Sequence, residues 1–212
     1  MIAVISDIHG NLEALDAVCA DIAAKNVERV YCLGDVVGYG PDPRACIDKA
    51  MEFEFTIMGN HDHAVFMEPT GFNTPAETAV FWSRQTLDND PDEAARRKRW
   101  EFLARMAQVF DLVRHVCFVG HTHLPGVFTD SFDFYTPAQV GHKYVITESK
   151  AVVNVGSVGQ PRDLDPRACY VTVEGPEVRW HRVAYDYKTT KEKILATGVL
   201  DEFLANRLAE GR

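Results

Sequence analysis

Four short apolar runs, most of them followed by glycine and by Asp, His or Asn, constrain this chain most. The runs over 2–5, 30–33, 53–58 and 116–119 lead into Ser-Asp-Ile-His-Gly, Gly-Asp, Gly-Asn-His-Asp and Gly-His-Thr-His. The first three runs alternate with stretches of helical spacing, and such βαβαβ order predicts a parallel sheet with right-handed crossovers. Because the carboxyl ends of such strands meet at one rim, we expect these polar side chains to converge.

The rest of the chain predicts a helical region and then a second set of strands. Helical sequence runs from about 74 to 115, and two more helices are predicted from about 189 and 199. Between them, short β-like runs cover 116–119, 127–129, 144–146, 151–155, 168–173 and 178–182. We find no repeat, low-complexity tract or linker, so we expect one domain over 1–212, built from two packed sheets with helices outside.

Composition narrows the classes of partner. The chain has 22 basic and 31 acidic residues and a formal net charge of −9, which disfavours long nucleic acid and anionic membranes. No apolar run reaches the roughly 18 residues of a membrane span, and the first residues resemble a strand rather than a signal peptide. The five cysteines are scattered and lie mostly in apolar runs, which is typical of reduced thiols and predicts a cytoplasmic protein.

The polar strand ends form a donor set suited to metal. It contains three oxygen donors and three imidazoles, which suit two borderline divalent cations such as Mn, Fe, Co or Zn, with one carboxylate bridging; its members are Asp7, His9, Asp35, Asn60, His121 and His123. Each of these residues alone could instead have a structural role. A strand-end aspartate often caps the next helix, and Asn60 or Asp62 would cap a helix near 63–67. Four such ends in one chain favour the metal interpretation.

These blocks, taken in order, resemble those of the calcineurin-like metallophosphoesterase superfamily, especially its compact bacterial members. The similarity covers Asp7-x-His9, Gly34-Asp35 with Gly40, the Gly59–Asp62 block and the Gly120–His123 block. It extends from Met1 through the 153–163 segment. The resemblance implies an α/β fold, a four-layer α/β/β/α sandwich of two mixed sheets flanked by helices.

The resemblance also implies residue roles. One metal would be held by Asp7, His9, Asp35 and His123. The second would be held by Asp35, Asn60, His121 and one further histidine, the ions being Mn, Fe, Zn, Co or Ni. A hydroxide bridging the two ions would attack phosphorus in line with the leaving group. His61 would protonate or stabilise the leaving oxygen, with Asp62 orienting it.

The further histidine is not found. The family's block would lie between Asp62 and Gly120, where this chain has only His63 and His115, and neither matches it. Periodicity predicts one long helix from 91 to about 113, whereas the resemblance places a strand, a histidine and a substrate-covering loop there. Either the protein has lost the block or the sequence omits a segment near 100–113. We favour omission, which a break in the chain between Trp100 and Val113 would support.

Three further residues are candidates for substrate binding. Tyr39 would line the pocket or simply pack in a glycine turn. Arg162, in the 153–163 segment, would pair with a phosphate oxygen, or form a salt bridge to Asp163 or Asp165. Asn11 would face the pocket or cap the helix after it, and capping is the better expectation.

The sequence thus predicts a binuclear metal-dependent phosphoesterase for a small soluble phosphate ester, a phosphodiester rather than a monoester. No arginine follows the Gly34-Asp35 block, which disfavours a protein-phosphatase role. The alternative is a catalytically degenerate phosphoesterase fold that serves as a protein-binding scaffold. Retention of His61 and of the metal donors argues against that alternative, and the missing histidine block argues for it.

Overall fold

The computed structural model describes residues 1–106 and 116–212, in an α/β arrangement. The elements follow in the order β1 (Ile2–Ile5), α1 (Leu12–Ala24), β2 (Arg29–Cys32), α2 (Pro43–Ala50), β3 (Phe55–Thr56), α3 (Asn60–Ala64), α4 (Thr74–Asp88), α5 (Glu93–Arg105), β4 (Val116–Val119), β5 (Gly126–Thr129), β6 (Phe134–Tyr135), β7 (Lys143–Val145), β8 (Ala151–Asn154), β9 (Ala168–Glu174), β10 (Glu177–Val183), α6 (Tyr187–Ala196) and α7 (Glu202–Asn206), followed by a 3₁₀ turn (Arg207–Ala209).

Side-chain caps fix where most of the helices begin. Asn11, Asn73, Asp92, Asp186 and Asp201 each accept hydrogen bonds from backbone N–H groups in the first turn of the helix that follows. These N–H groups have no partner within the helix, so each cap stabilises its helix start.

Two mixed sheets form the centre of the fold. The first has the strand order β3-β2-β1-β9-β10-β7, in which β1, β2 and β3 are parallel and β9 is antiparallel to β1. The second has the order β4-β8-β5-β6, with β4 parallel to β8. The predicted parallel β1–β3 unit is therefore confirmed, and its carboxyl ends share one rim.

Apolar packing defines the layers. One buried cluster joins Ala3 and Ile5 of β1 to α1, α2, α4 and α5, whereas a second joins Val4 and Trp180 of the first sheet to Val153 of the second. The described helices thus pack against the first sheet, and the two sheets face each other. This order gives the α/β/β part of the predicted sandwich, and in the described part of the chain Phe128 and Val152, on the other face of the second sheet, are exposed.

The long helix predicted over 91–113 is shorter in the structure. Helix α5 ends at Arg105, and the backbone of Met106 is no longer helical. The remainder of the predicted helix, His115 and most of the interval in which we expected a break fall in 107–115, outside the described residues. Within the residues described, no helix has the length and apolar character needed to cross a membrane.

Candidate metal centre

Backbone hydrogen bonds join the loops that follow β1 and β2. The N–H of Asp7 donates to the carbonyl of Gly34 at 3.0 Å, and that of His9 donates to the carbonyl of Asp35 at 2.9 Å. Asp7, His9 and Asp35 all have positive φ, between 50° and 53°. Few residues other than glycine adopt this conformation, and it is common at functional sites. The two loops therefore hold their side chains together at the rim predicted from sequence.

Asp7, His9 and His123 form the buried half of the site. The Nε2 atom of His123 lies 3.1 Å from Oδ1 of Asp7, and Nε2 of His9 lies 3.7 Å from the same oxygen. All three side chains are at most 2% exposed. Their ligand atoms lie within 4.8 Å of one another, which makes them one of the groups of described residues able to hold a metal ion.

The tautomers of the two histidines make a cation the natural occupant. Nδ1 of His9 lies 3.1 Å from the carbonyl of Val37, and Nδ1 of His123 lies 2.7 Å from that of Gln160. A carbonyl only accepts, so each Nδ1 carries the proton, and each neutral ring turns the lone pair of Nε2 inward. The Nε2 atoms are 3.1 Å apart, and two lone pairs at that distance repel unless a proton or a metal ion lies between them. Histidine ligands of metals are commonly fixed in this way, by a hydrogen bond from the other ring nitrogen.

Asp35 continues the cluster on the other side of His9. Its Oδ1 accepts a hydrogen bond from the backbone N–H of His61 at 2.7 Å. Burial, together with the negative charges of Asp7 and Asp62, raises the pKa of Asp35 well above its ordinary value. Burial opposes ionisation of Asp7 too, but its contacts with His123, Ser6 and the backbone N–H of His121 together outweigh burial and lower the pKa of Asp7. Two carboxylates this close repel, and a divalent cation would relieve that repulsion.

Two of the glycines that precede site residues, Gly59 and Gly120, are required by close approach. A Cβ atom added to Gly59 would collide with the carboxylate and backbone nitrogen of Asp35, and one added to Gly120 would collide with Asp7 and with the hydroxyl of Ser6. The loops can meet only where no side chain intervenes.

Asn60 and His121 form the open half of the site. Their side chains are exposed and contact each other, with 3.0 Å between Oδ1 of Asn60 and Nδ1 of His121. The backbone N–H of His121 also donates to Oδ2 of Asp7 at 2.9 Å. All six predicted metal donors thus lie around one rim, but four are buried and two face solvent. His63, one of the two histidines noted in the gap, is exposed on α3.

Asp62 acts through the backbone rather than on the His61 ring. Its Oδ1 accepts from the N–H groups of Val36 and Val37 at 2.9 and 3.2 Å, and its Oδ2 accepts from Gly59 at 3.1 Å. These bonds join the loop after β2 to the start of α3. The expected effect of Asp62 on the orientation of His61 is therefore indirect, because Asp62 fixes the two segments between which His61 lies. Burial nevertheless raises the pKa of Asp62 to about 6, against the effect of these N–H groups.

The His61 ring lies among aromatic side chains above the carboxylates. Its centroid is 4.5 Å from that of Tyr39, 4.8 Å from that of His9 and 4.8 Å from that of Phe72. Burial, with a contribution from His123, lowers the pKa of His61 to about 3, and burial also lowers that of His9. Nδ1 of His61 is buried and has no hydrogen-bond partner among the described residues. One ring nitrogen of His61, one of His9 and one carboxylate oxygen of Asp35 lie within 4.8 Å of one another.

A cavity of about 360 Å³ opens above these groups. It is lined by the site residues and their neighbours, which are Asp35, Tyr39, Asn60, His61, Thr70, Gly71, Phe72, Asn73, Ala76, His121, His123 and Arg162. Such a volume lies in the usual range for small-molecule sites. The cavity therefore brings the proposed metal donors, His61 and a cation to one space.

Of the three substrate-binding candidates, the structure brings two to this cavity. Tyr39 and Arg162 line it, with the Arg162 guanidinium 5.7 Å from the centre of the Tyr39 ring. No carboxylate in the described chain pairs with Arg162, since Arg182 binds Asp163 instead. Arg162 donates to Oε1 of Gln160, at 2.6 Å from Nη2. The salt-bridge alternative for Arg162 is therefore not formed.

Asn11 lies beneath the cavity instead of lining it. Its Oδ1 caps α1 by accepting from Ala14 at 3.1 Å, and it also accepts from the hydroxyl of Thr190. Its Nδ2 donates to the carbonyl of Gly159 at 2.8 Å and to Tyr185 at 3.2 Å. The capping alternative is thus the one that the structure shows.

The sequence analysis included the 153–163 segment in the family resemblance but did not identify how this loop supports His123. The hydroxyl of Ser157 donates to the carbonyl of Asp7 at 2.9 Å and accepts from the N–H of Gln160 at 2.8 Å. The carbonyl of Gln160 in turn orients His123. The contacts of Ser157 with Asp7 and of Gln160 with His123 join residues 150 and 37 positions apart, and no local sequence pattern predicts them.

Comparison with known proteins agrees with this geometry. Residues 1–176 match the family model of the calcineurin-like phosphoesterase superfamily domain. The chain is 34% identical over 243 aligned residues to an uncharacterized protein of Methanocaldococcus jannaschii, a match that covers 100% of this chain and 98% of that protein. Because this chain has 212 residues, the alignment includes positions that only the archaeal relative fills.

Solved structures show the same fold. A crystal structure of a metallophosphoesterase from Sphaerobacter thermophilus superposes with a TM-score of 0.82 and 30% identity, covering 100% of this chain and 98% of that one. A hypothetical protein from Pyrococcus horikoshii superposes with a TM-score of 0.70 at 17% identity, covering 100% of this chain and 99% of that one.

The chain belongs to the calcineurin-like phosphoesterase superfamily. The class of reaction is therefore metal-dependent hydrolysis of a phosphoric ester, and the described residues include groups able to hold the metal. The family prediction made from the strand-end blocks is confirmed, as is the α/β fold of two mixed sheets.

Proposed function

We propose that this protein hydrolyses a small soluble phosphate ester, with preference for a phosphodiester, at a centre that holds two divalent cations. The observation that carries the proposal is the pair of inward-facing Nε2 atoms of His9 and His123, 3.1 Å apart and beside the Asp7 carboxylate. Neutral imidazoles and a carboxylate converging in a buried site suit a borderline divalent metal.

Two sets of residues would hold the ions. Asp7, His9, Asp35 and His123 would hold the first, and Asp35, Asn60 and His121 would hold the second, with Asp35 shared. Mn, Fe, Zn, Co and Ni all accept such nitrogen and oxygen ligands. The chemistry that bound cations would supply is polarisation of the phosphoryl oxygen and a lower pKa for a nucleophilic water.

The chain's own groups would bind the ester and assist departure of the leaving group. Arg162 lines the cavity without an acidic partner in the described chain, so its guanidinium is free to pair with a non-bridging phosphate oxygen. His61 lines the same cavity, against Tyr39 and Phe72, and there its ring would donate a proton or a hydrogen bond to the leaving oxygen. The aromatic side chains limit access of water to the reacting ester.

The scaffold alternative receives no support from these contacts. A protein kept only for its fold has no need for neutral histidines oriented by backbone carbonyls around a buried carboxylate. Nor does it need an arginine at the cavity wall that has no carboxylate partner among the described residues.

The test is a parallel assay with bis(p-nitrophenyl) phosphate and p-nitrophenyl phosphate in buffer supplemented with Mn²⁺. We expect turnover of both, faster for the diester. Asp35→Asn should lose bound metal and activity together, whereas His61→Ala should keep its metal and lose about 100-fold or more in kcat. Asp88→Asn, on the exposed surface of α4, is the control. Full activity and full metal content in both site variants would show that the assignment is wrong.

A further inference from the structure

A second cavity lies beside the one that contains the proposed metal donors. It has a volume of about 460 Å³ and is lined by residues of α3 and of the loop after it, which are Asn60, His63, Ala64, Met67, Glu68, Pro69, Thr70 and Phe72. Three of these residues, Asn60, Thr70 and Phe72, line the first cavity as well. A phosphate ester bound in the first cavity can therefore extend its organic part into the second.

The loop after α3, which forms one wall of the second cavity, is fixed by Arg84 of α4. Its Nε donates to the carbonyl of Val65 at 2.7 Å, and its Nη2 donates to that of Ala64 at 3.0 Å. Nη2 also donates to the carbonyl of Met67, whose side chain is 56% exposed at the cavity. The backbone of this wall is thus held before a ligand arrives, which lowers the entropy cost of binding.

The lining of the second cavity suits an uncharged aromatic ring. Phe72 offers its own ring, and Met67 offers a thioether, a group that contacts aromatic rings favourably. Among the described residues that line this cavity there is no lysine or arginine, and the carboxylate of Glu68 would repel a further phosphate group. An anionic group is therefore disfavoured here, and a small alkyl group would leave the apolar side chains in contact with water.

The position of Phe72 indicates which part of the substrate would enter. Its ring contacts that of His61 edge to face, with 4.8 Å between their centres. His61 is the group proposed to assist departure of the leaving oxygen, so the group carried by that oxygen would lie next to Phe72. From there it would continue into the second cavity.

We propose that the second cavity binds an aromatic ring carried by the leaving oxygen, and that Met67 is a residue that determines this specificity. The inference rests on the proposed function, and it adds the substrate class, a phosphate ester of an aromatic or heteroaromatic compound. It is carried by the lining that the two cavities share and by the fixed loop that places Met67 at the second one.

The experiment measures binding with two probes that cannot be hydrolysed. Calorimetric titration of the full chain with Mn²⁺ present compares benzylphosphonate, in which CH₂ stands in for the ester oxygen, with methylphosphonate, which lacks the ring. The wild type should bind benzylphosphonate about tenfold more tightly, the size expected for partial burial of one ring.

Variants of Met67 test its part in this preference. Met67→Ser should reduce the ratio of the two affinities to about threefold or less, because apolar contact with the ring is lost, and should leave the methylphosphonate affinity unchanged. Met67→Leu, which keeps an apolar side chain of similar size, should keep the ratio. Leu195→Ser replaces another exposed apolar side chain, on α6, and should behave as the wild type.

The other outcomes overturn the proposal. A ratio near one in the wild type would show that no ring is recognised, and an unchanged ratio in Met67→Ser would show that Met67 does not contact it. Equal losses for both phosphonates in Met67→Ser, with a lower unfolding temperature, would mean that Met67 only supports the loop. Failure of the proposed function looks different, because the chromogenic esters would then not be hydrolysed, whatever the ratio of the two affinities.

Discussion

Asp62 accepts a hydrogen bond from the backbone N–H of Val36 at 2.9 Å, and through it the helix that carries His61 is fixed to the loop that carries Asp35. The carboxylate accepts from three N–H groups in all, so each of its oxygens has a donor. A carboxylate is the one side chain of this size that accepts on both sides.

Asp62→Asn tests this connection. The amide nitrogen of asparagine would face an N–H donor in place of an acceptor, which leaves buried donors without partners and costs about 1–3 kcal/mol of unfolding free energy. We expect a lower urea midpoint and, because the His61 ring loses its fixed position, a lower kcat. Asp88→Asn on the surface of α4 serves as the matched control. A variant with wild-type stability would show that the three hydrogen bonds contribute nothing to the fold.

His181 on β10 predicts a dependence of stability on pH. Its Nε2 lies 2.8 Å from the hydroxyl of Thr172, and its ring stacks on Tyr170 at 4.8 Å. Burial and the nearby charges of Lys25 and Arg179 outweigh the opposing charge of Asp21 and lower the pKa of His181 to about 4.

The direction of this pH dependence follows from whether the folded or the unfolded chain binds the proton more readily. Above about pH 7 the ring is neutral in both states, so it makes no pH-dependent contribution. As the pH falls towards 4, the unfolded chain takes up a proton that the folded chain refuses, and the folded state loses stability. Because the ring is only half-buried, we expect a loss of about 1–2 kcal/mol between pH 7 and 4. His181→Gln should remove that part of the decline in urea titrations, whereas His142→Gln, on an exposed loop, should leave it unchanged. Identical pH profiles for the wild type and His181→Gln would disprove the assignment.

Most of the site could be predicted because its residues follow strands directly. The position of Asp7, His9 and Asp35 depends only on parallel strands ending at one rim, and the alternation of strand and helix predicts that. His121 and His123 follow β4, which lies in the second sheet, so their place at this rim depends on how the two sheets pack and not on parallel strand order alone.

The rest depends on contacts between distant parts of the chain. The orientation of His123 by the Gln160 carbonyl, and the use of Asn11 as a cap tied to Thr190, join positions 37 and 179 residues apart. No local pattern encodes such pairs. Asp163 likewise pairs with Arg182, 19 positions away on β10, and not with its sequence neighbour Arg162. Sequence spacing left that choice open.

We expect Asn11→Ala to lower the stability of the protein more than removal of an ordinary helix cap does. Asn11 caps α1 and is 1% exposed, and its Nδ2 also satisfies the carbonyl of Gly159. Asn73 caps α4 in the same way, accepting from Ala76 at 3.0 Å, but is exposed. Asn73→Ala should cost about 1 kcal/mol, as caps do. Asn11→Ala should cost at least about 1–2 kcal/mol more, because buried polar groups lose partners as well. Equal urea midpoints for the two variants would contradict this ranking.

Burial of the donors predicts that the two ions of the proposed centre bind with different strength. Asp7, His9, Asp35 and His123 are at most 4% exposed, and their positions are fixed by backbone hydrogen bonds. Asn60 and His121 are exposed, and an ion beside them would keep more water and exchange faster. Dialysis without added metal should therefore leave about one equivalent bound per chain, measured by elemental analysis, and supplementation with Mn²⁺ should raise it towards two.

Variants separate the two sites. His121→Ala should keep the tightly held equivalent and lose the one gained on supplementation, whereas His123→Ala should lose the tightly held ion. Each variant removes a direct ligand of one ion, so it should weaken that ion's affinity by more than the roughly 10–100-fold that follows loss of an outer-shell partner. Circular dichroism checks that each variant is folded. This control is needed because Gly120, which precedes His121, packs closely against Asp7. If His121→Ala instead removed the ion that survives dialysis, the buried donors would not form the tighter site, and the order of affinity argued from burial would be reversed.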